Sequence, residues 1–240
     1  MNPIHLVIFD MDGLMFDTGQ LSYRAYLQTA KKYNFSMTHF VYYYLTGRRD
    51  SEIRKRMKDL YGKEQPVNLW RDDMLLNKKT FLLAEQRVHK KKGLLELIAF
   101  LKQQNVKIAI ASSSRASQID HYFEIEGMEK NFDYITSGEE VENGKPNPEI
   151  FLKTCQKANV KPENTIVLED SVVGIQAAKI ANMQAVQVPD DISYLPTYQG
   201  EFPILLDENE WKEINFNVPV FKDLLEVKEY LNQILQSKNI

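Results

Sequence analysis

Carboxylates, hydroxyls and one lysine recur along this chain, each time shortly after a short apolar run. Asp10-Met11-Asp12-Gly13 follows His5 to Phe9, Ser112-Ser113-Ser114-Arg115 follows Lys107 to Ala111, and Glu169-Asp170-Ser171 follows Thr165 to Leu168. The run Asp133 to Thr136 leads into Gly144-Lys145-Pro146-Asn147-Pro148. Asp10 and Asp12 are two residues apart, so an ideal strand aims both the same way. Glu169 and Asp170 join them if the first and fourth runs are neighbouring strands. Acids gathered in this way repel one another unless a cation intervenes. A set of oxygen ligands with no Cys or His nearby suits Mg²⁺ rather than Zn²⁺. Asp10, Asp12, Glu169 and Asp170 are therefore the expected metal residues.

The other two clusters supply what an anion needs. Ser112 and Ser113 offer hydroxyls and backbone N–H groups at a helix start, a natural phosphate cradle. Lys145 offers a compact positive charge in a loop stiffened by Pro146 and Pro148. Metal, lysine and clustered acids describe phosphoryl chemistry, in which positioning and charge neutralisation do most of the catalysis. The expected nucleophile is Asp10, with Asp12 as acid and then base, and Lys145 holding phosphate oxygens.

These residues share an edge only if the apolar runs form one sheet. The runs are rich in β-branched residues and too short for buried helices, so they read as strands covered on both faces, with Gln184 to Val188 as a fifth. Apolar helical faces lie between them: Leu94, Leu95, Leu97, Ile98 and Leu101; then Ile150, Phe151, Thr154, Cys155 and Ala158; then Val173, Ile175, Ala177, Ala178 and Ile180. That alternation predicts an α/β fold, a doubly wound, Rossmann-like parallel sheet whose ligands bind beyond the carboxyl ends of the strands. Between the first two strands lie about 70 residues with helical periodicity at Tyr23, Tyr26, Leu27 and Ala30, at Ile53, Met57 and Leu60, and at Leu75, Leu76, Leu82 and Leu83. No simple crossover needs that length. An inserted α-helical domain is expected over 18–92, with the core formed by 1–17 and 93–240. Pro203 to Leu206 reads as one more short strand, and Leu224, Val227, Tyr230, Leu231 and Ile234 as a closing helix.

Composition excludes several classes. Hydrophobic residues make up 43% and charged residues 26% of the 240, a globular balance. A net charge of −3 argues against a nucleic-acid or anionic-membrane partner and leaves a small phosphorylated molecule. No apolar run approaches the roughly 20 residues of a membrane span. Cys155 is the single cysteine and no secretory leader is read, so a cytoplasmic monomer is expected. No P-loop or dinucleotide fingerprint occurs, and the four histidines lack ligand spacing.

The four clusters, in this order, resemble the motifs of the haloacid dehalogenase superfamily: Phe9 to Leu14 with Asp17-Thr18, then Ser112, then Gly144 to Phe151, then Leu168 to Ser171. The insertion is similar to the cap of the subgroup containing β-phosphoglucomutase, phosphoglycolate phosphatase and pseudouridine-5′-phosphate phosphatase. The resemblance implies a metal held by Asp10, the Asp12 carbonyl, Asp170 and Glu169, and a cap that selects the substrate. Gly47-Arg48-Arg49-Asp50 resembles the cap loop facing the active site, so Arg48 and Arg49 are candidate substrate-binding residues. Ser22 stands where β-phosphoglucomutase has a histidine, which weakens the mutase reading, and Lys92-Gly93 replaces a common Pro-Gly. A Mg²⁺-dependent phosphatase of a sugar or nucleoside phosphate is expected, with a sugar phosphomutase as the alternative. A phospho-accepting receiver-like module shares the acids, the hydroxyl and the lysine but lacks such an insertion.

Overall fold

The computed structural model describes residues 3–207 and 216–236. Five strands, β1 (Leu6–Phe9), β2 (Lys107–Ala111), β3 (Tyr134–Thr136), β4 (Thr165–Glu169) and β5 (Gln184–Gln187), form one sheet in the order β3-β2-β1-β4-β5. Every pairing is parallel, with Phe9 level with Ile110 on one side and with Leu168 on the other. All carboxyl ends therefore lie along one rim.

Strand alternation decides how the sheet is covered. Val7 and Phe9 of β1 point into a core shared with α5 (Leu94–Gln103), α6 (Ala116–Ile125) and α9 (Leu224–Gln236). Leu6 and Ile8 point to the other face, into a core shared with α7 (Glu149–Ala158) and α8 (Val172–Ile180). The sheet is thus doubly wound, as the strand–helix alternation implied.

Between β1 and β2 the chain forms α1 (Thr18–Tyr33), α2 (His39–Leu45), α3 (Asp50–Tyr61) and α4 (Val67–Glu85) around a third apolar cluster. Trp70 is its centre, stacked on Phe35 at 4.7 Å between ring centroids, with its indole N–H donating to Thr29 Oγ1 at 2.8 Å. The return linker is held by a buried acid from the sheet domain. Glu126 Oε1 accepts the backbone N–H groups of Val88 and His89, both at 2.9 Å, and its carboxylate also pairs with Arg87 and Lys90. No described helix is long and apolar enough to cross a membrane.

Several expectations need correction. Pro203 to Leu206 do not form a strand. Pro203 lacks the N–H a ladder needs, and this stretch packs against the helical insertion instead, where Leu205 N–H donates to Leu60 O at 2.8 Å. Leu95 and Ile180 were assigned to buried helix faces but are about half exposed, at 51% and 53%. Leu75, Leu76 and Leu83 likewise lie on the open side of α4. Helix α6 follows Ser112–Arg115 as the expected helix start requires, whereas α2 falls outside the helical periodicity: it is seven residues of mostly aromatic and β-branched type, whose intrinsic helix propensity is low.

Candidate active site

Three acids meet at the rim. Asp10 lies just past β1, its N–H donating to Leu168 O at 3.0 Å; Glu169 ends β4 and Asp170 follows it. One carboxylate oxygen from each falls within 4.8 Å of the others, and all three residues are buried. Lys145 reaches into this group from the loop before α7, its Nζ 2.5 Å from Asp10 Oδ1 and 2.5 Å from Glu169 Oε1. Its ammonium also sits 5.0 Å from the centre of the Phe151 ring. Glu169 is fixed further by Ser171, whose N–H and hydroxyl donate to Oε2 at 2.8 and 2.9 Å. The same hydroxyl caps α8 by accepting from Gly174 N–H at 3.1 Å.

One ammonium faces three carboxylates, leaving two negative charges in excess if all are ionised. Burial pushes the Asp10 carboxyl up to about 7, with Lys145 opposing and Glu169 adding to the rise. Asp170 is pushed well above the carboxylate range by burial and by the Glu169 and Asp10 charges. Burial alone would lower Lys145, but Asp10 and Glu169 outweigh it and hold the ammonium above its ordinary range. Lys145 is therefore held in its charged form, and burial with mutual repulsion makes Asp10 and Asp170 hold protons more readily than exposed carboxylates do. An all-oxygen pocket with this excess charge can hold a hard divalent metal.

Asp12 does not share that cluster through its side chain. Its Oδ1 accepts from Thr18 Oγ1 at 2.8 Å and its Oδ2 from Ser114 Oγ at 2.7 Å, aiming the carboxyl into the cleft between sheet and insertion. The intervening turn needs Gly13, whose φ is +89° and whose Cβ would overlap the Asp170 carboxylate. Ser112 is buried, its hydroxyl accepting from Ser114 N–H at 3.1 Å, and Ser113 Oγ donates to Gly47 O at 3.2 Å across the cleft.

The cleft is a cavity of about 960 Å³ with Asp10, Asp12 and Ser112 on its floor. Arg48 faces it with its side chain 9% exposed, Nε donating to Tyr44 O at 3.2 Å; burial and the neighbouring Arg56 lower its guanidinium to about 10. Arg49 also borders the cavity, but its guanidinium is spent on the sheet domain, donating to Glu142 O at 2.7 Å, to Val141 O at 2.5 Å and to Gly138 O. Residues not singled out from sequence also line it: Arg71 and Lys78 from α4, Tyr122 from α6, and Thr18 and Ser114 holding Asp12. The quoted Asp17-Thr18 pair and the run of three serines were the available signals for the last two. Nothing in the helical pattern marks Lys78, whose charge burial disfavours while Tyr122 and Asp12 restore it.

Comparison with known proteins gives a consistent picture. A family model described as "Haloacid dehalogenase-like hydrolase" matches residues 7–188. The phosphorylated carbohydrates phosphatase of Thermotoga maritima is 32% identical over 181 residues, covering 75% of this chain and 82% of that protein. A probable pseudouridine-5′-phosphatase of Drosophila melanogaster is 27% identical over 222 residues, covering 90% and 95%. Among solved structures, the β-phosphoglucomutase of Clostridium difficile superposes with a TM-score of 0.71 at 25% identity, covering 98% of both chains.

Proposed function

The chain belongs to the haloacid dehalogenase-like hydrolases, and on that premise we propose that it is a Mg²⁺-dependent phosphatase of a small phosphorylated metabolite, a sugar or nucleoside phosphate. The observation that carries this reading is the cluster of three buried acids and one lysine, whose Asp10 opens onto the cavity together with Asp12. In this reading residues 18–92 form a cap that covers the core of 1–17 and 93–240 and reads the substrate. The relatives named for phosphorylated carbohydrates and for pseudouridine-5′-phosphate support that substrate class.

The mechanism assigns each group one task. An Asp10 carboxylate oxygen attacks phosphorus in line, the phosphorus–ester oxygen bond breaks, and the electron pair leaves on the alcohol oxygen. Asp12, aimed into the cleft by Thr18 and Ser114, gives that oxygen its proton. Asp12 then takes a proton from water, which attacks the aspartyl-phosphate and releases inorganic phosphate and the free Asp10 carboxylate. Lys145 and the Ser112–Ser113 turn hold the phosphate oxygens, and Arg48 meets the distal part of the substrate, while Arg49 ties the insertion to the carbonyls of Gly138, Val141 and Glu142. Mg²⁺ held by Asp10, Asp170, Glu169 and the Asp12 carbonyl would neutralise charge on the transferring phosphoryl group.

A screen of sugar and nucleoside monophosphates with Mg²⁺, read by phosphate release, tests the assignment. Asp10→Asn should abolish turnover and phosphoenzyme formation while the protein still folds, and full activity in that variant would remove Asp10 from its role. The likeness to β-phosphoglucomutase keeps a second reading in play. Interconversion of sugar phosphate isomers without phosphate release would select it. Ser22, which lines the cavity where that enzyme has a histidine, favours the phosphatase.

A further inference from the structure

Asp190 is a buried acid that the mechanism does not use, only 2% exposed and just beyond β5. Its Oδ1 accepts from Lys91 Nζ at 2.6 Å, and its Oδ2 from Tyr42 OH at 3.3 Å. Lys91 belongs to the linker leaving the cap, and also lies 3.7 Å from Asp17 of the linker entering it. The Asp190 carbonyl accepts from Tyr43 OH at 3.3 Å, and a Cβ on Gly19 would overlap the Asp190 carboxylate. The Asp190 side chain therefore meets the linker leaving the cap, the first turn of α1 and helix α2, and reaches the entering linker only through Lys91.

From Asp190 the chain does not return directly to the core. Ile192 is fully buried in the apolar cluster of the cap. His39 Nε2 lies 2.7 Å from Leu195 O, and Tyr23 OH donates to Pro196 O at 3.0 Å. Met37 and Tyr198 exchange backbone hydrogen bonds at 2.8 and 2.9 Å, Ser36 N–H donates to Phe202 O at 2.9 Å, and Phe202 N–H donates to Asn34 O at 3.0 Å. Residues 192–205 thus run as a strap along the cap, a third connection between the two bodies.

We propose that Asp190 is a positioning residue that pins the cap in its seat over the catalytic rim, and that the strap of residues 192–205 travels with the cap rather than with the core. If the strap stayed behind when the cap lifted, the Met37–Tyr198 and Ser36–Phe202 ladder would break and Ile192 would enter water. If it moves with the cap, the break falls on the contacts of Asp190 with Lys91 and Tyr42. A buried carboxylate deprived of those partners is unfavourable, so the contacts hold the seated arrangement. The effect on turnover rests on the phosphatase reading; the effect on cap seating does not.

The test compares the full-length wild type with Asp190→Asn, Lys91→Met and the double variant, using amide hydrogen exchange as the primary readout. Asparagine keeps the shape of Asp190 and removes its charge, and Lys91→Arg serves as the conservative rescue. Both single variants should speed exchange about tenfold at 42–47 and 88–92, with 34–37 and 198–205 unchanged and Lys91→Arg near wild type. The double variant should be no worse than the worse single one, because both remove the same contact. For a sugar or nucleoside monophosphate accepted in the screen, KM should rise about fivefold or more with kcat little changed, as a smaller seated fraction requires. A purely structural role would lower the melting temperature without that split. Unchanged exchange at 42–47 and 88–92 in both single variants overturns the proposal, and so does loss of protection at 198–205 together with the linkers. If the wild type turns over no phosphate ester, the phosphatase reading fails while the exchange measurement still decides the role of Asp190.

Discussion

The Lys145 ammonium lies 2.5 Å from the carboxylate of Asp10, with the two side chains 1% and 8% exposed. Among the described residues this is the one basic group in contact with a cluster that carries three acids. Its removal leaves those acids unneutralised. Lys145→Met should abolish turnover and destabilise the protein by about 3 kcal/mol at pH 8, less at pH 5 where the acids hold protons. Adding Asp10→Asn to that variant should recover part of the loss, as thermal melts at the two pH values would show.

Metal binding and pH are linked through the same acids. With Asp10 raised to about 7 in the folded chain, the folded state binds more protons than the unfolded state between its ordinary value of 3.8 and 7. Stability without metal should therefore fall as pH rises through that window. A divalent ion must displace those protons, so its affinity should increase as pH rises. The melting temperature should rise with Mg²⁺ much more at pH 8 than at pH 5.5, and a chelator should reverse it. An equal rise at both pH values would contradict the linkage.

Glu126 works in the opposite direction. Its side chain is fully buried at one end of the return linker, and although burial alone would raise it, the Arg87 hydrogen bond, the Val88 and His89 amides and Lys90 together bring it down to about 2. A carboxyl lowered from 4.5 contributes stability that is present above that value and lost as pH falls towards 2. Glu126→Gln should cost about 2–3 kcal/mol near neutral pH and flatten the acid limb of the stability curve. Denaturant titrations across pH 2 to 7 would measure both.

Gly174 gives a test whose sign is informative. In an ordinary helix, Gly→Ala stabilises by about 0.5–1 kcal/mol. Here the added Cβ would overlap the Glu169 carboxylate, which Ser171 and Lys145 hold in place. Gly174→Ala should therefore destabilise the protein and weaken metal binding. A gain in melting temperature with unchanged Mg²⁺ response would refute the close approach.

The acidic rim was legible because parallel strands have a fixed polarity: once the apolar runs are read as strands, whatever follows each must converge. Asp10, Ser112, Lys145, Glu169 and Asp170 were found in this way. What escaped has a common physical cause, dependence on partners remote in sequence. Asp190 and Lys91 are 99 positions apart, and neither has a neighbourhood that marks it. Glu126 looks like any surface acid at the end of an amphipathic helix until the linker folds over it. The strap of 192–205 forms no helix or strand whose period could mark it: Ile192, Leu195, Tyr198, Phe202 and Ile204 pack on the cap cluster while Tyr194 and Leu205 are exposed. Leu95 and Ile180 show the converse error, where apolar type suggested burial but the helix turned the residue outwards.

The central strand β1 lies between β2 and β4, whose first residues are Lys107 and Thr165. During synthesis β1 must therefore wait, unpaired on one side, until the chain through Glu169 has left the ribosome. Because Glu169 and Asp170 arrive with the last of those partners, the cluster of three acids is incomplete until β4 is in place. Pairings over such long separations also make slow folding the natural expectation.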